Sequence, residues 1–136
     1  MKVYVLDASA IIHYLTNGAG AERVSGLICR SAKGEARLLI SAINWGETLY
    51  SQAKIAGLVK AKADLKALSA FVESVPADEE HAEAAAAVKF HYKLGYADCF
   101  AAELAMRMHA TLVTTDPDFA RLGKRLKVLC LSRNAQ

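Results

Sequence analysis

The sequence predicts an α/β fold, a three-layer α/β/α sandwich around a central parallel sheet of four or five strands. Three observations predict it. Short apolar runs at Val3–Leu6, Leu38–Ile40 and Leu112–Val113 have the near-continuous hydrophobicity of strands buried on both faces. Longer segments with helical periodicity separate these runs, the alternation that builds βαβ units. The 136 residues fit a single domain, residues 1–136. A chain of that size buries roughly two thirds of its unfolded surface and needs no disulfide or structural metal to form a core.

The elements follow in order. Lys2–Leu6 is the first strand. Ala8–Leu15 is helical and Asn17-Gly18 should end it. Ala21–Ala32 sets Val24, Leu27 and Ile28 on one helical face, and Gly34 breaks it. Arg37–Ser41 is the second strand. Asn44–Ala56 is a helix with Trp45, Leu49 and Ala53 in line and Gly57 at its end. Lys60–Val72 is another, carrying Leu65, Leu68 and Val72. Ser74–Pro76 is at most a short strand. Asp78–Leu94 is a long helix, with Asp78, Glu79, Glu80 and Glu83 at the end where the helix dipole favours acids. Gly95 ends it. Ala97–His109 is helical, Thr111–Thr114 a strand, Pro117–Leu122 a short helix and Leu126–Leu131 the last strand. The 26 alanines suit this much helix.

Composition narrows the function. With 54% apolar and 23% charged residues, the chain has the makeup of an ordinary soluble domain, not of a disordered or collagen-like one. No apolar run approaches the ~20 residues of a membrane helix. Asp7 interrupts the first apolar stretch too early for a signal peptide, so a cytoplasmic protein is expected. Cys29, Cys99 and Cys130 are odd in number and lack CxxC spacing, which speaks against a disulfide framework or a zinc knuckle. All three read as small buried hydrophobes. His13, His81, His91 and His109 share no ligand spacing, so structural or solvated roles are expected for them.

In open α/β sheets, sites lie beyond the C-terminal ends of the strands. Asp7 and Ser9 follow the first strand. Ser41 closes the second, and Glu47 comes in the first turn of the next helix. Asp98 follows the Gly95 break. Thr114-Thr115-Asp116-Pro117-Asp118 follows the Thr111–Thr114 strand. Taken singly, each acid is what a helix cap looks like: Asp7 and Asp98 as N-caps, Asn44 with Glu47 as a capping box, Asp116 before Pro117 as a cap with proline at the first helical position. Taken together, they would gather at one edge of the sheet. At ~5 Å, each carboxylate pair repels by about 3 kcal/mol at an effective dielectric of 20. No lysine or arginine adjoins any of them in sequence. Such a cluster needs a positive partner, and oxygen ligands without histidine or thiolate select Mg2+ or Mn2+ over zinc.

In this order and spacing, Asp7 with Ser9, Glu47, Tyr96-Ala97-Asp98-Cys99-Phe100-Ala101-Ala102 and Thr114-Thr115-Asp116-Pro117-Asp118-Phe119 resemble the successive acidic motifs of PIN domains, from the first strand to the last. A stand-alone chain of this size is similar to the VapC-type ribonuclease toxins of type II toxin–antitoxin pairs. The resemblance implies an endoribonuclease dependent on Mg2+, with Mn2+ possible, that acts on RNA, is held inactive by a cognate antitoxin and forms a homodimer. Asp7, Glu47, Asp98 and Asp116 match the acidic quartet that carries catalysis and metal. Asp118 matches a further metal-site acid, and Ser9 and Thr114 match hydroxyl positions beside the site. Products with a 5′-phosphate and a 3′-hydroxyl are implied in the same way. The segment around Trp45 is less typical of the family, and Ala85–Leu94 offers nothing diagnostic.

The net charge of +3 is modest, but its distribution is uneven. Arg121, Lys124, Arg125, Lys127 and Arg133 crowd the last twenty residues beside one acid, and Lys54, Lys60, Lys62 and Lys66 form a second group. A solvated face explains most charge runs. Arg121, Lys124 and Arg125 follow closely on Asp116 and could instead contact RNA phosphates. Tyr50 and Leu58, on the helix pair Asn44–Val72, are candidates for contact with a second copy or the antitoxin. The alternative function is a PIN-like module that has lost catalysis and only binds RNA or protein. The full acidic set argues against it. A small-molecule phosphohydrolase or phospho-acceptor domain fits less well, because Asp7 lacks DxD spacing and the stretch Thr114–Asp118, where a phospho-acceptor domain would want a lysine, has none.

Overall fold

The computed structural model describes residues 1–131. Its elements are β1 (Lys2–Leu6), α1 (Ala8–Leu15), α2 (Ala21–Ala32), β2 (Ala36–Ser41), α3 (Ala42–Ala56), α4 (Leu58–Leu68), β3 (Val72–Val75), α5 (Glu79–Tyr92), α6 (Tyr96–Arg107), β4 (Thr111–Thr114), a 3-10 segment (Pro117–Arg125) and β5 (Lys127–Cys130). The five strands form one sheet in the order β3-β2-β1-β4-β5, and every pairing is parallel.

Strand alternation builds the three layers. Val5, Leu39 and Leu112 point to one face, where they meet Val88 of α5, Phe100 and Leu104 of α6, and Phe119 and Leu122 of the 3-10 segment. Tyr4, Leu6, Leu38, Ile40 and Val113 point to the other, against Ile11 of α1 and Val24 and Leu27 of α2. Each fully buried aliphatic side chain contributes about 1.5–3 kcal/mol over its exposed state. Leu131 closes the second face over Gly20, whose φ of 82° suits glycine. A Cβ on Gly20 would stand 2.5 Å from Leu131 Cβ, so no other residue fits there.

Three expectations change. The helix expected to reach Val72 stops at Leu68, and Val72 begins β3, paired with Leu38 of β2. Val72 is buried in either conformation, so hydrophobic periodicity could not separate a helix end from a strand start; the free edge of β2 decides it. Helix α3 begins at Ala42, capped by Ser41 Oγ, which accepts from Ile43 N at 3.2 Å. Asn44 is therefore not a cap, and Glu47 lies in the second turn, not the first. Of the cysteines, only Cys99 is fully buried; Cys130 is half-buried and Cys29 is exposed. Cys29 sits one residue past the Val24–Leu27–Ile28 stripe and faces outward. Arg133 lies outside the described residues. Among the described residues, no helix is long and apolar enough to cross a membrane.

The strand order positions the site. The chain runs outward from β1 to β2 and β3, then crosses back to β4 and β5 on the other side of β1. The order reverses between β1 and β4, and beyond the C-terminal ends of such a pair a crevice opens. Asp7 follows β1 and Asp116 follows β4.

Candidate functional site

Asp7 is 2% exposed and caps α1. Its Oδ1 accepts from Ala10 N at 3.0 Å and from Ser9 Oγ at 2.6 Å, and its Oδ2 accepts from Thr114 Oγ1 at 2.5 Å. The hydroxyls continue the network across the crevice. Ser9 Oγ accepts from Thr115 N and Thr114 Oγ1 accepts from Asp116 N, each at 3.0 Å. The backbone adds Asp7 N donating to Val113 O at 3.2 Å. Ser9 and Thr114 thus tie the ends of β1 and β4 together and hold the Asp7 carboxylate in place.

Asp116 caps the 3-10 segment, accepting from Asp118 N at 2.8 Å, with Pro117 next in the chain. Asp98 is the third residue of α6, whose N-cap is Gly95. A Cβ on Gly95 would lie 3.1 Å from Asp98 Oδ2, so the carboxylate folds back over the start of its helix. Glu47 is exposed on α3. Asn44, one turn earlier, is fully buried and donates from Nδ2 to Glu47 Oε1 at 3.4 Å and to Ala97 O at 3.1 Å. It ties the Glu47 turn of α3 to the first turn of α6, next to Asp98. Sequence reasoning missed this bridge because Asn44 resembled a cap; the available signal was a polar residue on the inward face of a helix.

The electrostatics show how closely the acids gather. Burial pushes the Asp98 carboxyl up to about 6, and the charges of Asp7, Asp116, Glu47 and Asp118 push it the same way. Burial also raises Asp7, with a smaller push from Asp116, while the hydrogen bonds from Ser9, Thr114 and Ala10 oppose the shift. Among the described residues, no salt bridge reaches Asp7, Glu47, Asp98 or Asp116. Asp118 differs: it is exposed and lies 3.6 Å from the Arg121 guanidinium. Arg121 therefore stands at the rim of the acids. Lys124 and Arg125 are exposed further along the same segment.

Among the described residues, no three Asp, Glu, His or Cys side chains are gathered closely enough to hold a metal ion as they stand. The donor chemistry nevertheless suits a hard divalent cation. It comprises carboxylates and hydroxyls without thiolate or imidazole, and its surplus of negative charge already disfavours ionisation of Asp98. Bringing Asp98 and Asp116 closer to Asp7 would be repulsive without a cation and favourable with one.

Fold and site together define an α/β protein with a group of acids at the switch point of a parallel sheet. The family model of the PIN domain matches residues 4–125. The chain belongs to the PIN domain family. It is similar in structure to VapBC2 from Rickettsia felis, solved bound to a promoter DNA fragment (TM-score 0.74, 17% identity, covering 94% of this chain and 98% of that one). DNA-bound VapBC from Salmonella typhimurium superposes with a TM-score of 0.73 at 17% identity, covering 96% and 99% of the two chains. VapC20 of Mycobacterium tuberculosis, a toxin that cleaves the sarcin-ricin loop, gives 0.70 at 18% identity, covering 88% and 95%. At these identities the likeness is one of fold. No curated protein matches the sequence.

Proposed function

We propose that this protein is a metal-dependent endoribonuclease that hydrolyses RNA phosphodiester bonds and serves as the toxin of a toxin–antitoxin pair. The observation that carries the proposal is the Asp98 carboxyl, raised to about 6 among four other acids and without a salt-bridge partner among the described residues. A fold stabilised for its own sake would pair or scatter these charges. An active site keeps them for a ligand that supplies the missing positive charge.

Asp7, Asp98 and Asp116 would hold Mg2+ or Mn2+, with Glu47 and Asp118 completing the acidic wall. Bound there, the cation would acidify a water and neutralise charge building on the phosphate oxygens. Ser9 and Thr114 orient Asp7 through its two oxygens. One of these carboxylates, Asp98 or Asp116, would orient the attacking water and take up its proton instead of binding the metal directly. Arg121, Lys124 and Arg125 offer positive charge at the rim, which counters the repulsion between an RNA backbone and the acids. The toxin role draws on the similar structures, several of which are toxin–antitoxin complexes. Exposed Tyr50, Ile55, Leu58 and Val59 on α3 and α4 supply an apolar surface for the antitoxin or a second copy.

The test is a magnesium titration of the purified protein, freed of any partner, on a mixed cellular RNA pool. Asp98→Asn and an EDTA-treated sample run beside it. Cleavage that requires the metal and is lost in the variant is the expected result. A folded protein whose melting temperature responds to metal but which cuts no RNA would point to a target absent from the pool. No cleavage and no metal response would leave a PIN-like binding module.

A further inference from the structure

Beside the acidic crevice, between the C-terminal end of α5 and the 3-10 segment, lies a recess of about 500 Å³ lined by His91, Tyr92, Lys93 and Arg121. That volume is within the roughly 300–1,000 Å³ range of ligand sites. We propose that this recess, together with the adjoining Phe90, binds one or two nucleotides of single-stranded RNA flanking the bond to be cut. The inference rests on the nuclease reading above and assigns it a substrate subsite.

Two local choices in the sequence make little sense for folding alone. Phe90 is 80% exposed, a large aromatic ring presented to solvent near the end of a helix. Lys93 caps α5 in the left-handed region, at φ 58° and ψ 37°, where glycine or asparagine is favoured. Backbone strain of this kind gathers at functional positions. The ordinary C-terminal charge role is already filled by Lys89, whose ammonium donates to Leu94 O at 2.9 Å. The Lys93 ammonium makes no hydrogen bond or ion pair among the described residues. Arg121 Nη1 donates to Lys93 O at 3.2 Å and so fixes the floor of the recess.

The lining chemistry selects the ligand. Phe90, His91 and Tyr92 form a run of edge-on rings, with centroids 5.3 and 6.2 Å apart at 76° and 63°. The outer face of Phe90 is left open for stacking. Aromatic faces interleaved with Lys and Arg are how proteins hold single-stranded nucleic acid. Arg121, which lines the recess, also links it to the proposed centre. Arg121 lies 3.6 Å from Asp118, whose charge acts on Asp98. A strand leaving the acids would therefore pass Arg121 first, then Lys93 and Phe90. A protein partner fits less well, because the aliphatic exposed surface lies elsewhere, on α3 and α4.

The test measures fluorescence anisotropy of a labelled 12-nucleotide oligouridylate with the protein in EDTA, where cleavage is off, and of a 12-base-pair RNA duplex beside it. Phe90→Ala is expected to weaken oligouridylate binding about tenfold, from the loss of one stacked base, and Phe90→Trp to restore it. Lys93→Gly is expected to weaken binding and lower the salt slope by about one, while the melting temperature stays level or rises because the backbone strain is relieved. Loss of binding therefore cannot be loss of fold. The proposal is overturned if Phe90→Ala and Lys93→Gly bind as the parent does, if the parent does not bind oligouridylate, or if the duplex binds equally well. It is also overturned if Phe90→Ala changes only self-association in sedimentation, which would make the recess a protein contact. Metal-dependent cleavage of the RNA pool by the parent, measured separately, distinguishes the two failures. If cleavage persists, only the subsite falls; if cleavage is absent and the melting temperature does not respond to metal, the nuclease reading falls with it.

Discussion

The two ends of the sheet treat charge in opposite ways. At the N-terminal edge, Arg37 of β2 pairs with Glu73 of β3 at 3.0 Å, and Arg30 donates to the Tyr4 hydroxyl at 3.2 Å while Lys2 lies over the Tyr4 ring. At the C-terminal edge, Asp7, Glu47, Asp98 and Asp116 gather without a basic partner among the described residues, and of these acids only Asp118 has one there. Both edges belong to the same five strands, so topology does not require the difference. The N-terminal edge is arranged for the folded chain by itself. On the proposed function the C-terminal edge is arranged for the chain with something positive bound, and it should then respond to perturbation in the opposite sense.

The largest expected effect comes from removing a charge at the acidic edge. Asp98→Asn should cut RNA cleavage by about 10²-fold or more, the scale seen when a preorganised electrostatic group is lost. The same substitution should raise the metal-free melting temperature at pH 7, because it removes a carboxylate that its neighbours repel. A loss of both activity and stability would count against the repulsion argument.

The pH dependence follows with a fixed sign. The Asp98 carboxyl stands at about 6 in the fold against 3.8 for the free side chain. Between those values the folded state binds more protons than the unfolded one, so stability rises as pH falls. Asp7 is shifted in the same direction. Without metal, the melting temperature should therefore increase from pH 7 to pH 5, and less so in Asp98→Asn. Magnesium at pH 7 should reproduce that gain through binding linkage, and calorimetry with and without EDTA reads both.

Thr114→Val should act next. It removes the donor to Asp7 Oδ2 and leaves a buried carboxylate oxygen less satisfied, at a cost of about 1–3 kcal/mol. Denaturant midpoints measure this. A partial loss of cleavage should accompany it, because Asp7 is no longer held in one orientation. The smallest effect belongs to the opposite edge. Arg37→Ala breaks an exposed pair and should change stability by no more than about 1 kcal/mol. It should leave cleavage unchanged, and a large activity loss there would erase the contrast between the two edges.

Much of this architecture is visible in the chain itself. The buried strands announce themselves as apolar runs because both faces are covered, and Asn17-Gly18, Gly57 and Asp116-Pro117 mark the element ends by their backbone preferences; the helix expected to run to Leu94 stops instead at Tyr92, with Lys93 as its left-handed cap. Val72 is the instructive failure: inward-facing in either conformation, it carries no local signal of the strand it joins. Asn44 fails for a related reason, since a cap and a buried bridge use the same side-chain amide.

The order of the acids along the chain was sufficient to suggest a family, and a family model spanning residues 4–125 places the chain in it. Each acid taken alone satisfies the rules for a helix cap, and Asp7 and Asp116 are caps in fact. Local chemistry determined the strands, the helices and the residue types at their junctions, because propensity, periodicity and capping act over a few neighbours. Only the tertiary structure decided that the junctions meet. The reversal of strand order at β1 brings Asp7 beside Thr114, 107 positions away in sequence, and sets Asp98 among four other charges. Coulombic repulsion and burial depend on distance in space, which the linear spacing of residues does not contain.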